Sequence, residues 1–356
     1  MQLDHLAVRG FRNLADFECS PPAGGAFLLG ANAQGKTSFL EAVGYPVVFR
    51  SSRGAPDQEI VTFGGTGFQI DASLGQSPAG RVSVSYLVAG RTKRVAIDDA
   101  EVDRLTEAVG RWLAVSFLPR DVGLASGPAS ERRQYLDRLL SLADPRYLRS
   151  LLRYRAALAQ RNSALRQGKI DLARAFDGAL ASPGAEVVRA RSAWAEAAGA
   201  RYGLEFDCLG ERSPATLRYR TDQRLADASG WPGTLEAALP RDRALGMTTV
   251  GPHRDDLELQ VGGKPLRTFG STGQHRSAAV GLKLIELETL RMARGTEPAL
   301  LLDDVFAELD RDRQRRLAGR FFAPGRQVFL TAPRREEAPE GLELEVWTVR
   351  EGRVTT

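Results

Sequence analysis

The sequence predicts an α/β protein: a phosphate-loop head domain, interrupted by a helical second domain, with no long coiled coil. Three observations predict it. Gly30–Thr37 reads Gly-x-x-x-x-Gly-Lys-Thr and stands between an apolar run, Ala26–Leu29, and a helix-like segment, Thr37–Val43. A second apolar run, Ala299–Leu302, ends in two adjacent acids, Asp303 and Asp304. Between these motifs, over 126–247, the texture becomes helical, which leaves 1–125 and 248–356 as a discontinuous head.

The elements follow in chain order. Met1–Gly10, Phe68–Leu74 and Arg81–Val88 alternate like half-exposed strands, and Trp112–Leu118 is a further strand closed by Pro119. Glu131–Leu142, Pro145–Gln167 and Asp171–Tyr202 read as helices. Leu151, Leu158 and Leu165 recur every seven residues with Leu148 beside them, which suits a short antiparallel helix pair or ordinary bundle packing. Leu257–Gly263 suggests a hairpin strand, and Gly273–Ala293 a long apolar-periodic helix. Ala299–Asp304 has the continuous apolar character of a parallel strand buried on both faces. Arg326–Ala332 and Leu342–Val349 complete the strands.

Composition bounds the function. The 356 residues are 43% hydrophobic and 26% charged, ordinary for a globular chain. Cys19 and Cys208 are the two cysteines, and neither a disulfide framework nor a zinc site is supported. The first residues, with Asp4, His5 and Arg9, hold no apolar signal core, and no stretch is long enough to span a bilayer. A soluble, cytoplasmic protein is the expectation. The net charge of +5 and the isoelectric point near 9.4 suggest a polyanionic partner. Nearly all the basic residues are Arg, so location says more than total. From Arg132 to Lys169 ten Arg or Lys face two acids, Asp137 and Asp144. That stretch is expected to be either a phosphate-backbone surface, with Arg149, Arg153 and Arg161 as candidate DNA contacts, or a solvated helical face.

The loop chemistry is specific. Gly30 and Gly35 let the backbone curl so that successive N–H groups point at an anion. Lys36 can reach the β- and γ-phosphates and the Thr37 hydroxyl can ligate Mg²⁺. The helix N-terminus adds its partial positive charge. Such a loop needs a partner carboxylate, and Asp303 is the expected one, with Asp304 placed to orient a water. About 270 residues separate Lys36 from Asp303, a gap that suits a split head better than a compact kinase. Ser271, Thr272, Gly273 and Gln274 open a long helix and suggest a second anion-binding turn, serving another subunit's ATP; the plain alternative is a helix N-cap at Ser271 or Thr272.

Taken together, Gly30–Thr37, Ser271–Gln274, Asp303–Asp304 and Ala307–Asp310 resemble the head of an SMC-type ATP-binding-cassette (ABC) ATPase. Gly10–Leu14, Arg132–Asp137, Gly251–Leu257 and Leu301–Asp310 narrow the resemblance to the RecF family of bacterial recombination mediators. The resemblance implies an ATP-driven homodimer that binds double-stranded DNA near single-strand gaps and ss/dsDNA junctions. With RecR and RecO it implies promotion of RecA loading in repair, replication and the SOS response, and a slow, DNA-stimulated ATP hydrolysis that resets the dimer.

Carried over by position, Gly30, Ala31, Asn32, Ala33, Gln34, Gly35, Lys36 and Thr37 hold the nucleotide, with Arg12 and Asn13 flanking it. Thr37 and Asp303 hold Mg²⁺, and Lys36, Asp303 and Asp304 are catalytic. Ser271, Thr272, Gly273 and Gln274 form the signature that acts across the dimer, and Asp310 is its D-loop acid. Two positions depart from the wider pattern: Thr272 replaces a more usual glycine or charged residue, and Thr331 stands where many cassette ATPases have a switch histidine. Gln58, Gln69 and Gln134 all remain open for the Q-loop glutamine, and Glu308 is a second candidate for the catalytic acid. His253 lies in a family-like segment, whereas His5 and His275 are expected to be structural or surface residues. Two other readings use the same residues: a non-hydrolysing ATP-gated DNA clamp, and the nucleotide-binding subunit of another cassette assembly such as a transporter.

Overall fold

The computed structural model describes residues 1–75, 80–307 and 309–356. The chain forms two compact units, Met1–Asp121 with Glu286–Thr356, and Val122–Ile285.

The first unit contains two sheets. One has the strand order Arg353–Thr355, Glu345–Arg350, Gly25–Leu29, Val328–Ala332, Ala299–Asp303, Ala114–Phe117. All neighbours are parallel except the terminal hairpin. Ala299–Asp303 and Val328–Ala332 are buried at every position, as expected of strands covered on both faces. Helix Lys36–Gly44 covers one face through Phe39, whose ring lies 6.0 Å from both Phe329 and Trp347. Burying such a side chain contributes about 2–3 kcal/mol. The second sheet, ordered Phe17–Cys19, Gln2–Arg9, Gly67–Gly75, Gly80–Leu87, Thr92–Ile97, Ala100–Glu101, is antiparallel throughout. Its alternating burial along Gly67–Gly75 matches the period-two pattern of the sequence.

The second unit corrects the expected boundaries. It begins slightly earlier, at Val122, and ends much later, at Ile285, than a helical insertion over 126–247, because Asp256–Val261 pairs antiparallel with Ala215–Arg220 and draws the chain beyond Gly246 into this unit. It is therefore not all helical: a three-stranded sheet of Lys264–Pro265, Asp256–Val261 and Ala215–Arg220 lies within it. Helices Pro145–Arg166 and Asp177–Cys208 run antiparallel, since Tyr147 meets Arg191, Ser150 meets Glu186 and Arg161 meets Asp177. The seam is Tyr147, Ser150, Tyr154, Ala157, Arg161 and Ala164, offset from the leucine heptad although Leu151 and Leu165 are also buried. Its core gathers Tyr154, Leu180, Val188, Leu225, Trp231 and Leu235. Gly184 is required there, because a Cβ would sit 2.2 Å from the Trp231 ring. Among the described residues no helix is long and apolar enough to cross a membrane.

Candidate nucleotide site

Strand Gly25–Leu29 delivers the chain into the loop Gly30–Gly35, and helix Lys36–Gly44 leaves it. Two glycines are dictated by space and geometry. A Cβ on Gly30 would meet the Val349 carbonyl at 2.2 Å, and Gly35 has φ +113, a left-handed conformation that costs other residues energy. Ala31, Asn32 and Ala33 form the exposed crest. Beneath them the Lys36 ammonium donates to the carbonyls of Gly30 at 2.6 Å and Ala31 at 3.0 Å. It is buried against its own loop, at the position from which it can be re-aimed to an anion in the cradle.

The loop is braced partly by residues that carried no motif. The Glu351 N–H donates to Gln34 Oε1 at 2.7 Å, and the Gly352 N–H to the Gln34 carbonyl at 2.9 Å. This turn of the terminal hairpin had no local signal beyond its glycine. Asn13 Oδ1 accepts from Ser38 Oγ at 2.7 Å, and Asn13 Nδ2 donates to the Ala33 carbonyl at 3.4 Å, so Asn13 does lie against the loop. Arg12 does not extend a free guanidinium towards it. Arg12 Nε and Nη2 donate to the buried Glu41 carboxylate, each at 3.0 Å, and Nη1 donates to the Glu59 carbonyl at 2.9 Å. Arg12 is thus tied to Glu41 by an ion pair beside Asn13.

The acids arrive from the neighbouring strand. Thr37 Oγ1 donates to Asp303, 3.0 Å from either carboxylate oxygen. Asp304 follows at the strand end with φ +49. Thr331, opposite Asp303 in parallel register, is 2.9 Å from Asp303 Oδ1 and 3.2 Å from Asp304 Oδ1. Burial pushes both carboxyls above the usual range; for Asp303 the neighbouring Asp304 adds to this, while for Asp304 the Lys36 charge opposes it. A hydroxyl and a carboxylate converging in this way are hard oxygen donors of the kind Mg²⁺ takes, with phosphate and water completing its shell. The described residues contain no three-member His/Cys/Asp/Glu cluster.

Other predicted residues fall as follows. Asp310 caps helix Arg311–Phe321, accepting from the Arg313 N–H at 2.8 Å. Glu308 lies outside the described residues. Gln69 donates to Asp71 at 2.7 Å within its strand, Gln58 is exposed in a short turn, and Gln134 is exposed on helix Ala129–Ala143. In the second unit Ser271 and Gln274 form a reciprocal capping box: Ser271 N–H donates to Gln274 Oε1 at 3.0 Å, and Gln274 N–H to Ser271 Oγ at 3.2 Å. Helix Thr272–Arg294 starts there, with Ser271 and Thr272 exposed and Gly273 half-buried.

The basic stretch needs one correction. Arg149 and Arg153 are exposed, as a DNA contact requires. Arg161 is fully buried, paired with Asp177 at 2.8 Å and Asp242 at 2.7 Å, and cannot be a DNA contact. Arg132 is likewise internal, gripping Asp256 at 2.8 and 2.9 Å. His253 is structural: its Nδ1 faces the Tyr154 hydroxyl at 2.6 Å and its Nε2 the Thr248 carbonyl at 2.9 Å. His5 pairs with Glu18, and His275 contacts the Leu266 carbonyl.

No family profile matches the chain. Curated relatives do. A DNA replication and repair protein RecF from Frankia alni is 37% identical over 378 aligned residues, covering 99% of both chains. The RecF protein of Myxococcus xanthus is 34% identical over 93% of this chain and 90% of its own. Among solved structures, the recombination mediator protein RecF with ATP, described in the RecFOR pathway, superimposes with a TM-score of 0.91 at 29% identity, covering 99% of this chain and 96% of that one. An Smc head bound to the C-terminal winged-helix domain of ScpA shares the fold, with a TM-score of 0.57 at 13% identity over 100% of this chain and 96% of that one.

Proposed function

The chain belongs to the RecF family of DNA replication and repair proteins, with the fold of an SMC-type ABC ATPase head, and from that premise we propose that it is an ATP-dependent DNA-binding recombination mediator. ATP joins two copies into a homodimer, and the dimer binds double-stranded DNA near single-strand gaps. With RecO and RecR it promotes RecA loading, in the cytoplasm, during repair, replication restart and the SOS response. Slow hydrolysis, stimulated by DNA, releases the dimer.

The observation that carries this reading is the convergence of Thr37, Asp303, Asp304 and Thr331 beneath the Gly30–Gly35 loop. Loop N–H groups and the N-terminus of helix Lys36–Gly44 receive the phosphates. Lys36 exchanges the Gly30 and Ala31 carbonyls for β- and γ-phosphate oxygens. Thr37 and Asp303 hold Mg²⁺, which when bound neutralises phosphate charge. Asp304 orients the attacking water and accepts its proton. Ser271–Gln274 of one copy closes over the nucleotide of the other, and Asp310 contacts the partner copy. Arg149 and Arg153 contribute to holding DNA phosphates.

Sizing the protein alone, with ATP and with ATP plus gapped duplex tests the proposal. A monomer that becomes a dimer with ATP and retains gapped DNA supports it. A chain that stays monomeric at saturating ATP rules it out. Dimerisation and DNA retention without any turnover would make it a clamp instead of an enzyme.

A further inference from the structure

We infer that Thr331 is the positioning residue that aims Asp304 at the attacking water, an inference that rests on the hydrolytic reading above. Thr331 is nearly inaccessible, at 1% exposure, and faces Asp303 across the parallel pair of Ala299–Asp303 and Val328–Ala332. Register partners in a parallel pair project to the same side, so the hydroxyl is delivered to the acids by the sheet itself. Its oxygen accepts the Asp304 N–H at 3.1 Å. That N–H follows the last residue of the strand and has no place in the ladder.

The same hydroxyl lies 2.9 Å from Asp303 Oδ1 and 3.2 Å from Asp304 Oδ1. A hydroxyl carries one hydrogen, so it serves one carboxylate at a time. Asp303 has a second donor in Thr37, at 3.0 Å. The Thr331 hydrogen can therefore pass to Asp304 without stranding Asp303. Asp304 stands at φ +49, a left-handed conformation that aspartate adopts when a local hydrogen bond supports it. Thr331 supplies that bond at the backbone and a second at the carboxylate. One hydroxyl thus fixes both the turn and the side chain of Asp304, while separating two acids that would otherwise repel each other.

The test compares Thr331→Val, nearly isosteric without the hydroxyl, with Thr331→Ser, which keeps it; Thr331→Ala stands in if thermal unfolding shows that the valine variant is not folded. ATP affinity and KM are expected to stay within about twofold of wild type in the valine variant, while kcat falls by roughly ten- to a hundredfold, the effect of misplacing a reacting group by an ångström or less. Serine is expected to restore kcat to within about threefold, since it returns the same donor and acceptor. The ATP-bound dimer of Thr331→Val should outlive the wild-type dimer, and combining it with Asp304→Asn should lengthen that lifetime no further than Asp304→Asn alone. Wild-type kcat in Thr331→Val, equal failure of the serine variant, or full additivity with Asp304→Asn overturns the inference. If the wild type binds ATP without turnover, the hydrolytic reading itself is lost. The positioning is then read from a crystal structure of Thr331→Val: Asp304 displaced from its left-handed turn supports it, and Asp304 unmoved overturns it.

Discussion

Thr37 Oγ1 lies 3.0 Å from both carboxylate oxygens of Asp303, although 266 residues separate the two in the chain. The parallel sheet makes this possible. Val328–Ala332 lies between Gly25–Leu29 and Ala299–Asp303, and the helix that begins at Lys36 packs over Ala299–Asp303 and Val328–Ala332. Both partners thereby reach the same end of the sheet, where an α/β fold places its ligands.

Lys36→Met is expected to remove productive ATP binding. The ammonium bonds only loop carbonyls in the described structure, so the fold loses little. A charge-assisted phosphate contact worth about 3 kcal/mol weakens binding roughly a hundredfold when lost. Titration with a fluorescent ATP analogue checks it, and wild-type affinity would rule out the loop as the phosphate cradle.

Asp304→Asn should keep ATP bound and trap the dimer. The amide is almost isosteric and can still meet Thr331, but it cannot accept the water's proton, which costs about a hundredfold or more in rate. Phosphate release and sizing in parallel report the two effects. Turnover at the wild-type rate would shift the role elsewhere, with Glu308 the first residue to examine.

Ser271→Arg should leave ATP binding by the monomer intact and prevent ATP-induced dimerisation. The capping box with Gln274 is lost, at about 1 kcal/mol, which the fold tolerates. The bulk at an exposed turn then blocks the approach of the partner's phosphates. Loss of ATP binding at monomeric concentrations would assign Ser271 to its own subunit's site.

Which parts were legible in the sequence follows from how local their causes are. Gly30–Thr37 and Asp303–Asp304 are contiguous motifs whose flanking apolar runs reveal the strands. Ala215–Arg220 was not legible, because its alternation buries only Ala215 and Leu217 and its other positions include two arginines. The fate of Arg161 was hidden for a different reason. Its partners Asp177 and Asp242 lie 16 and 81 residues away, beyond any local sequence pattern. The Arg12–Glu41 pair is hidden likewise, since Glu41 reads as an ordinary helix residue until the helix buries it. A buried charge announces itself only through the fold that pairs it.

His253 should make the second unit sensitive to acid. Burial lowers its pKa from 6.5 to about 4, against a weaker opposing effect of the Thr248 carbonyl. The unfolded chain therefore binds the proton first, between pH 6.5 and about 4, and stability falls as pH falls through that window. The loss approaches about 3 kcal/mol at the lower end. Chemical denaturation at pH 7.5 and 5 should show a larger drop in wild type than in His253→Gln. Equal drops would mean that the imidazole is not held neutral.

Arg149 and Arg153 should contribute to DNA binding, and Arg161 should matter only for folding. The first two project into solvent from helix Pro145–Arg166, where guanidinium groups can meet phosphate oxygens without regard to sequence. Replacing both by glutamine should weaken duplex binding similarly on unrelated sequences. It should also flatten the dependence of log K on log salt by about two units, one for each phosphate contact removed. ATP turnover without DNA should hardly change, because Arg149 and Arg153 belong to a different compact unit from the Gly30–Thr37 loop. Arg161→Ala instead leaves Asp177 and Asp242 without their cation, and Thr248 without its Arg161 donor. Breaking a buried pair from one side costs about 3–5 kcal/mol, a large part of a typical domain's stability. Its signature is a lowered unfolding midpoint, with the salt slope of DNA binding unchanged in whatever protein remains folded. An unchanged slope in the Arg149/Arg153 double variant would make this face merely solvated, and would move the search for the DNA surface to the first unit.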